Sequence, residues 1–222
     1  MKFNHVSLEQ SIPSLKQVNE HGTRYYVTPE GNKYPSITTV LSEYNRKQIY
    51  EWRQRVGEEQ ANAISRQASS RGTRIHKLCE DYLNNQEPHF KTPLDTELFN
   101  SIIPELKRID NIHAQELRMY SDHLRIAGTV DCIGEHDGRL SVIDFKTAKR
   151  QKRQEDIENY FMQASAYAIM FEERMSIPIQ KLVILIAVDD DSPQVFIEKR
   201  DNFVESLLYY RDLYESKSGL YI

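Results

Sequence analysis

Two carboxylates and a lysine lie where they could act together on a phosphate ester. Asp131 lies in the segment 126–133, and Asp144 and Lys146 lie near the end of the segment 140–147. Two carboxylates supply the hard oxygen ligands that Mg²⁺ prefers, and a neighbouring lysine can orient or activate water and offset negative charge. The pattern therefore predicts a divalent-metal centre for phosphodiester hydrolysis.

A tight turn between the two segments would bring these residues together. Residues 136–139 read His-Asp-Gly-Arg, and Asp-Gly between strand-like runs is a strong hairpin signal because glycine adopts positive φ without steric cost. Residues 140–145 alternate apolar and polar side chains, as in a half-buried strand, so Asp144 and Lys146 share a face. The alternative is an exposed hairpin with a surface Asp–Lys pair. Acidic residues and lysine are depleted from central strands, which favours the metal centre.

A helix upstream offers a different type of metal ligand. Residues 49–68 and 73–83 show helical spacing of apolar residues, and His76 and Glu80 share one face of the second helix. A histidine that borders an apolar face is more often structural than a ligand, so spacing alone leaves its role open. Glu80 would either orient His76 or face solvent.

Periodicity and helix or strand breakers predict the remaining elements. These are strands at 24–27 and 33–34, a loop at 84–93, a helix at 95–110, a strand at 114–120, a helix at 157–175, strands at 181–188 and 194–198, and a helix at 202–217. Glu116, in the strand 114–120, either supports the metal centre or is an exposed carboxylate. The acidic turn at 189–193 predicts solvated turn formers rather than metal ligands.

Other side chains are candidates for contact with nucleic acid. Ser36, Thr38 and Thr39 lie near a helix start, where hydroxyls and free N–H groups can bind phosphate, although helix capping is favoured from chemistry alone. The basic run 146–153 fits a phosphate-binding segment or a solvated loop. Three aromatic residues could stack on unpaired bases, namely Tyr44, Tyr50 and Trp52. For Trp52, packing in the core is the favoured role.

Length and composition indicate one ordinary globular domain. The chain has 222 residues, of which 39% are hydrophobic and 28% charged, and its net charge is −4. No apolar run is long enough to span a bilayer, and the first residues resemble neither a signal peptide nor a transit peptide. We therefore expect a cytoplasmic protein of phage or bacterial origin that does not bind membranes. Two cysteines are too few for a four-cysteine iron–sulfur cluster.

Four motifs in order resemble the PD-(D/E)XK nuclease superfamily and its RecB-like exonuclease branch. The segment 34–41 is similar to the start of the mitochondrial genome maintenance exonuclease family and its phage relatives. The other three are the histidine helix at 71–80, Asp131 with Asp144-Phe145-Lys146-Thr147, and the Gln-x-x-x-Tyr pattern of Gln163 and Tyr167. The resemblance implies a restriction-endonuclease-like α/β fold, with a central mixed sheet flanked by helices. Within a single domain, it divides the chain into an N-terminal hairpin and helical extension (1–70), a nuclease core (71–200) and a C-terminal helix (201–222).

The resemblance also implies a Mg²⁺-dependent DNA exonuclease, with Mn²⁺ as a substitute, that prefers ends and single strands. The implied metal ligands are His76, Asp131, Asp144, the Phe145 carbonyl and, as an auxiliary acid, Glu116. Lys146 would position or activate water. The implied DNA contacts are Arg71, Thr147, Gln163 and Tyr167. Unwinding would require another replication or recombination protein. An endonuclease or resolvase on the same scaffold, and a DNA-end binding module without turnover, are the alternatives.

Overall fold

The computed structural model describes residues 2–8, 12–189 and 191–218. Within these residues, two sheets are present. The first is antiparallel and contains β1 (Lys16–Glu20), β2 (Thr23–Val27) and β3 (Lys33–Pro35). The second contains β4 (Ile109–Ser121), β5 (Ile126–His136), β6 (Arg139–Ala148), β7 (Lys181–Val188) and β8 (Gln194–Lys199) in that spatial order. Because β6 and β7 are parallel and the other neighbours are antiparallel, the second sheet is mixed.

Helices cover both faces of the five-stranded sheet. They are α1 (Ile37–Val40), α2 (Arg46–Val56), α3 (Glu58–Leu83), α4 (Pro93–Leu106), α5 (Glu158–Met175) and α6 (Val204–Ser218). α3 and α4 share a hydrophobic cluster with Ile143 and Phe145 of β6, whereas α5 and α6 share another with Val142. The predicted arrangement of a mixed sheet between helices is confirmed.

The hairpin that positions the candidate metal ligands forms as predicted. β5 and β6 pair up to His136 and Arg139, and the two residues between them, Asp137 and Gly138, have φ values of 51° and 69°. The half-buried character predicted for residues 140–145 is wrong. From Ser141 to Phe145 every residue of β6 is buried, because helices cover both faces of this central strand. Asp144 therefore lies in an interior strand.

The N-terminal sheet packs directly against β5. β2 and β3 match the predicted hairpin, whereas β1, whose sequence KQVNE is largely exposed, shows no strand periodicity and was not predicted. The buried Tyr26 hydroxyl lies 3.1 Å from Thr129 Oγ1, and Ser36 forms an isolated bridge with Ala127. These contacts place the N-terminal sheet beside the strand that carries Asp131.

Several predicted helix boundaries are wrong. The helix expected at 49–68 is divided at Gly57, where φ is +88°, and α3 then continues through the predicted start at residue 73. The expected division at residue 70 therefore falls inside α3. The helix expected at 95–110 ends at Leu106, because Ile109 already begins β4.

The C-terminal helix and the acidic turn are described in part. α6 extends to Ser218, and residues 219–222 of the predicted C-terminal segment lie outside the described residues, as does Asp190 of the predicted turn. Among the described residues, no helix has both the length and the apolar character needed to cross a membrane.

Candidate active site

A cleft of ≈ 790 Å³ opens between the N-terminal sheet, α3, α5 and the sheet edge formed by β4 and β5. It contains most of the side chains that the sequence predicts to be functional. Those that line it are Ser36, Thr38, His76, Glu116, Asp131, Lys146, Gln163 and Tyr167. The structure therefore brings together residues from all four motifs of the chain, with Glu116 from β4.

Three possible metal ligands converge at the base of this cleft. One ligand atom each of His76, Glu116 and Asp131 lies within 4.8 Å of the other two. His76 Nδ1 is 3.4 Å from Asp131 Oδ1, and the Phe145 N–H donates to Asp131 Oδ2 at 2.8 Å. This hydrogen bond holds Asp131 in place from the neighbouring strand. An imidazole with two carboxylates is a suitable donor set for a divalent cation.

Glu116 reaches this group from an unusual backbone conformation. It lies in the middle of β4 with φ of +47°, in the left-handed region that non-glycine residues seldom adopt. It also follows the irregular pairing between Asp110 and Ala114. Such conformations cost about 1–3 kcal/mol and cluster at functional sites, so the strain at Glu116 supports a role for its side chain.

Asp144 is the most buried of the predicted ligands. It is 1% exposed, and its Oδ1 has no hydrogen-bond donor within the described part of the chain. Its Oδ2 forms a close ion pair with Lys146. A buried carboxylate oxygen without a donor is costly unless another positive group completes it. The residues present therefore fit a bound divalent metal.

The charges around Asp131 favour its ionised form. Burial raises the pKa of Asp131, but the charge and hydrogen bond of His76, the charge of Lys146 and the Phe145 N–H together outweigh this and lower it. Conversely, burial lowers the pKa of His76, and the Asp131 charge more than compensates and raises it. In the metal-free protein, His76 and Asp131 thus stabilise each other's charged forms.

Asp144 and Glu116, in contrast, keep their protons to a higher pH than ordinary carboxyl groups. Burial, opposed by Lys146 and aided by the charge of Asp131, raises the pKa of Asp144 to about 6. Although Glu116 keeps solvent contact, desolvation of its carboxyl and the charge of Asp131 raise its pKa to about 7. Burial lowers the pKa of Lys146, but the nearby Asp144 and Asp131 carboxylates raise it overall, so Lys146 stays protonated.

These shifts predict a pH-dependent metal affinity. Because Glu116, Asp144 and protonated His76 must release protons to bind a cation, affinity should rise between about pH 5 and pH 8. Titration calorimetry with Mg²⁺ in two buffers of different ionisation enthalpy measures the released protons directly.

Without metal, the carboxyls of Asp144 and Glu116 bind protons more tightly in the folded than in the unfolded state. The free energy of unfolding of the metal-free protein should therefore fall as pH rises from about 4 to about 7. A metal affinity that does not change with pH would contradict the assignment of Glu116, Asp144 and His76 as ligands.

Two predicted DNA contacts, Arg71 and Thr147, lie outside the cleft lining. Arg71 donates to both oxygens of Asp189 at 2.8 and 2.7 Å and to Thr147 Oγ1 at 3.2 Å. It thereby ties α3 to the ends of β6 and β7. A phosphate contact by Arg71 would require it to leave Asp189. The expectation that Asp189 is a solvated turn former is wrong, because it is the ion-pair partner of Arg71.

Gln163 and Tyr167 meet on the face of α5 that borders the cleft. Gln163 Nε2 donates to the Tyr167 hydroxyl at 3.1 Å. Burial, with the charge of Asp131, raises the pKa of Tyr167 well above its usual value, so its phenol remains protonated. The hydroxyl proton is then available to an acceptor in the cleft.

The Tyr167 ring depends on the absence of a side chain at Gly128. A Cβ at this position would lie 2.7 Å from Tyr167 Cε1 and 3.1 Å from Ile37 Cγ2. We expect Gly128→Ala to lower the free energy of unfolding by about 1–3 kcal/mol, as overpacking does, and to displace Tyr167. Urea denaturation checks this. Gly72→Ala in α3 is the control, since apart from its own chain neighbours and the adjacent helix backbone no atom lies within 4 Å of its added Cβ, and alanine should stabilise the helix by about 0.5–1 kcal/mol. Equal stabilities of the two variants would contradict the predicted clash.

The hydroxyl cluster at Ser36 has a structural role as expected. Ser36 Oγ accepts from the Thr39 N–H at 3.1 Å and caps α1, while Thr38 Oγ1 accepts from Arg24 Nη2 at 2.8 Å. Ser36 and Thr38 line the main cleft, whereas Thr39 lines a neighbouring pocket. Contact of all three with phosphate remains a prediction.

Some cleft residues had no clear signal in the sequence. Arg24 lies in a short strand, and Tyr160 and Asn159 precede the Gln-x-x-x-Tyr pattern, yet all three line the cleft. The Lys146 ammonium lies 5.0 Å from the centroid of the Tyr160 ring. Helical periodicity could have identified Asn159, because it lies one turn before Gln163 on the same face of α5.

Comparison with known proteins agrees with this geometry. The mitochondrial genome maintenance exonuclease 1 of Homo sapiens is 29% identical over 177 residues, covering 73% of this chain and 51% of that protein. The Mus musculus protein of the same name is 27% identical, covering 73% of this chain and 52% of its own length. The chain thus spans about half the length of the curated relatives it matches.

The chain was also compared with solved structures and with protein families. A crystal structure from Eubacterium rectale superposes with a TM-score of 0.47 at 12% identity, over 68% of this chain and 65% of that one. Residues 51–206, which are most of the chain and include His76, Glu116, Asp131, Asp144 and Lys146, match the family described as the PD-(D/E)XK nuclease superfamily. The chain belongs to the PD-(D/E)XK nuclease superfamily.

Proposed function

We propose that this protein is a Mg²⁺-dependent exonuclease that hydrolyses phosphodiester bonds from the ends of DNA, with a preference for single strands. The observation that carries the proposal is the convergence of His76, Glu116 and Asp131 within 4.8 Å, in a cleft that also contains Lys146. The names of the relatives, which are exonucleases of mitochondrial genome maintenance, support action at DNA ends. We place the activity in DNA replication, recombination or repair.

The proposed metal ligands are His76, Asp131, Asp144 and the Phe145 carbonyl, with Glu116 as a further carboxylate. The bound cation would screen the charge of the phosphate and favour ionisation of the attacking water. The chain itself holds the ligands in place, since Asp131 accepts from the Phe145 N–H and Asp144 is fixed in the buried strand β6.

Lys146 acts on the reacting phosphate. Its ammonium is held beside Asp144 and over the Tyr160 ring, and it lines the cleft. A preorganised positive charge at this place stabilises the additional negative charge that develops on phosphate in the transition state. It also provides a donor that orients the attacking water.

Gln163 and Tyr167 position the substrate from α5. The Tyr167 phenol accepts from Gln163 and can donate its own proton to a phosphate oxygen. Arg24 and Thr38, which also line the cleft, provide a positive charge and a hydroxyl. These groups can hold a neighbouring phosphate while the scissile one lies at the metal ligands.

End-labelled linear single-stranded DNA, digested beside a closed circle of the same sequence, tests the proposal. With Mg²⁺, the linear strand should shorten stepwise and the circle should remain intact, whereas EDTA should stop the reaction. Mn²⁺ should replace Mg²⁺. Cleavage of the circle would overturn exonuclease action in favour of endonuclease action, and binding without any cleavage would overturn the enzymatic assignment.

A further inference from the structure

A second cavity of ≈ 370 Å³ lies next to the proposed active site. Its walls come from α2 on one side and from the segment 152–160 on the other. Four residues line both this cavity and the main cleft, namely Asn45, Ile49, Asn159 and Tyr160. A ligand in the second cavity would therefore be connected to whatever occupies the cleft.

One wall of this cavity carries an indole ring that is not part of the core. Trp52 lines the cavity beside Tyr44, which is partly buried against the larger hydrophobic cluster. All eleven residues of α2 are described and none is buried, and Trp52 belongs to none of the hydrophobic clusters formed by the described residues. The packing role expected for Trp52 is therefore wrong. A partly exposed indole beside a cavity suits stacking on a flat ligand.

Both walls carry hydrogen-bonding groups that suit a nucleobase. Asn159, in the segment 152–160, has a buried Oδ1 with no donor among the described residues, and Gln48 adds a second amide from α2. Amide side chains pair with the edges of bases. The cavity also has two carboxylates, Glu155 and Asp156, against the single lysine Lys152. Such a lining disfavours a phosphate and accepts the amino groups of bases.

Tyr160 connects this cavity to the proposed active site. Tyr160 lines both spaces, and its ring centroid is 5.0 Å from the Lys146 ammonium. A nucleotide whose phosphate lies at Lys146 can therefore extend its base past Tyr160 into the second cavity.

We propose that the second cavity is a pocket for one unpaired nucleobase of the strand whose phosphate is at the metal ligands. Trp52 stacks on the base, and Asn159 accepts a hydrogen bond from its edge. The inference rests on the proposed function and extends it, because a base paired in a duplex cannot enter the pocket. Single-strand preference then follows from the shape of the site.

The first test uses wild-type protein and needs no variant. Linear single-stranded oligonucleotides with one internal abasic residue are digested with Mg²⁺ beside the unmodified sequence. Loss of stacking on one base should slow removal of nucleotides at that residue by about tenfold. An equal rate through the abasic residue would overturn the base pocket while leaving exonuclease activity intact. Absence of any digestion would refute the proposed function instead.

The second test measures binding alone, in EDTA, with an oligonucleotide that contains fluorescent 2-aminopurine. Stacking on Trp52 should quench its fluorescence in the wild-type complex. Trp52→Ala should remove most of the quenching and weaken binding about tenfold, and Asn159→Leu should weaken binding less. Tyr209→Ala is the matched control, since this aromatic residue is 61% exposed on α6 and lines neither space.

Circular dichroism melting confirms that each variant is folded. Quenching retained in Trp52→Ala, together with unchanged affinity in Asn159→Leu, would overturn the proposal. Because this measurement contains no metal, its result is independent of whether the protein cleaves DNA.

Discussion

Asp144→Asn is expected to lower Mg²⁺-dependent cleavage of a single-stranded oligonucleotide by roughly 10⁴- to 10⁶-fold, the loss found when one member of a catalytic unit is removed. Asn keeps the volume of the side chain but removes the charge that a divalent cation requires. Asp144 lies in β6, is 1% exposed and has an oxygen without a donor among the described residues. A bound cation would supply the positive partner that this oxygen, Asp144 Oδ1, lacks.

The same variant should lose most of its stabilisation by metal. Ligands that bind only the folded state raise the melting temperature, so Mg²⁺ should stabilise the wild type and have little effect on Asp144→Asn. Without metal, Lys146 loses its ion-pair partner but still lies near the charge of Asp131. We therefore expect the variant to remain folded, with unfolding free energy lower by about 1–3 kcal/mol.

Asp191→Asn is the matched control for this experiment. Asp191 is exposed, and within the described part of the chain its Oδ1 accepts a local hydrogen bond from the N–H of Ser192. Cleavage by this control should equal that of the wild type. If Asp144→Asn retains cleavage within threefold of wild type, the metal ligands lie elsewhere in the chain.

Local sequence signals predicted the part of the site that lies within one hairpin. Asp137 and Gly138 specify a turn through backbone conformation alone, and the turn sets the register that brings Asp131 beside the Phe145 N–H. The predicted helix at 157–175 similarly placed Gln163 and Tyr167 one turn apart, and the two side chains form a hydrogen bond there, as residues four apart on a helix can. These inferences need no knowledge of distant parts of the chain.

Long-range arrangement determined what the sequence did not predict. The sequence named Glu116 as an auxiliary ligand but did not predict its left-handed backbone in β4 or that Asp144 lies deeper than Asp131, beside Lys146. Arg71 pairs with Asp189, which is 118 positions away in the chain. A single sequence carries no signal for such pairings, since they depend on which strand ends meet.

Trp52 illustrates a different limit of sequence-based prediction. An aromatic residue at helical spacing normally packs in a core, and only the position of α2 shows that this ring borders a cavity. The break at Gly57 creates that position by separating α2 from α3. Helices often tolerate a single glycine, so the presence of Gly57 in the sequence was not enough to predict that the helix ends there.

Lys146→Met is expected to lower cleavage by roughly 10²- to 10⁴-fold, the contribution of a group that assists proton transfer or stabilises developing charge. Unlike Asp144→Asn, it should retain stabilisation by Mg²⁺ at pH 8, because Lys146 is not a metal ligand. Loss of the lysine charge raises the pKa of Asp144 further above about 6. Metal binding should consequently require a higher pH in the variant.

Lys107→Met and Lys146→Arg complete this comparison. Lys107 is exposed at the end of α4 and lines neither the cleft nor the second cavity, so its substitution should leave cleavage unchanged. Lys146→Arg keeps the positive charge, so partial recovery of cleavage would assign the lysine to charge stabilisation, whereas no recovery would assign it to orienting water through its compact ammonium. Loss of metal stabilisation in Lys146→Met at every pH would contradict both roles, because the lysine would then act only by holding Asp144.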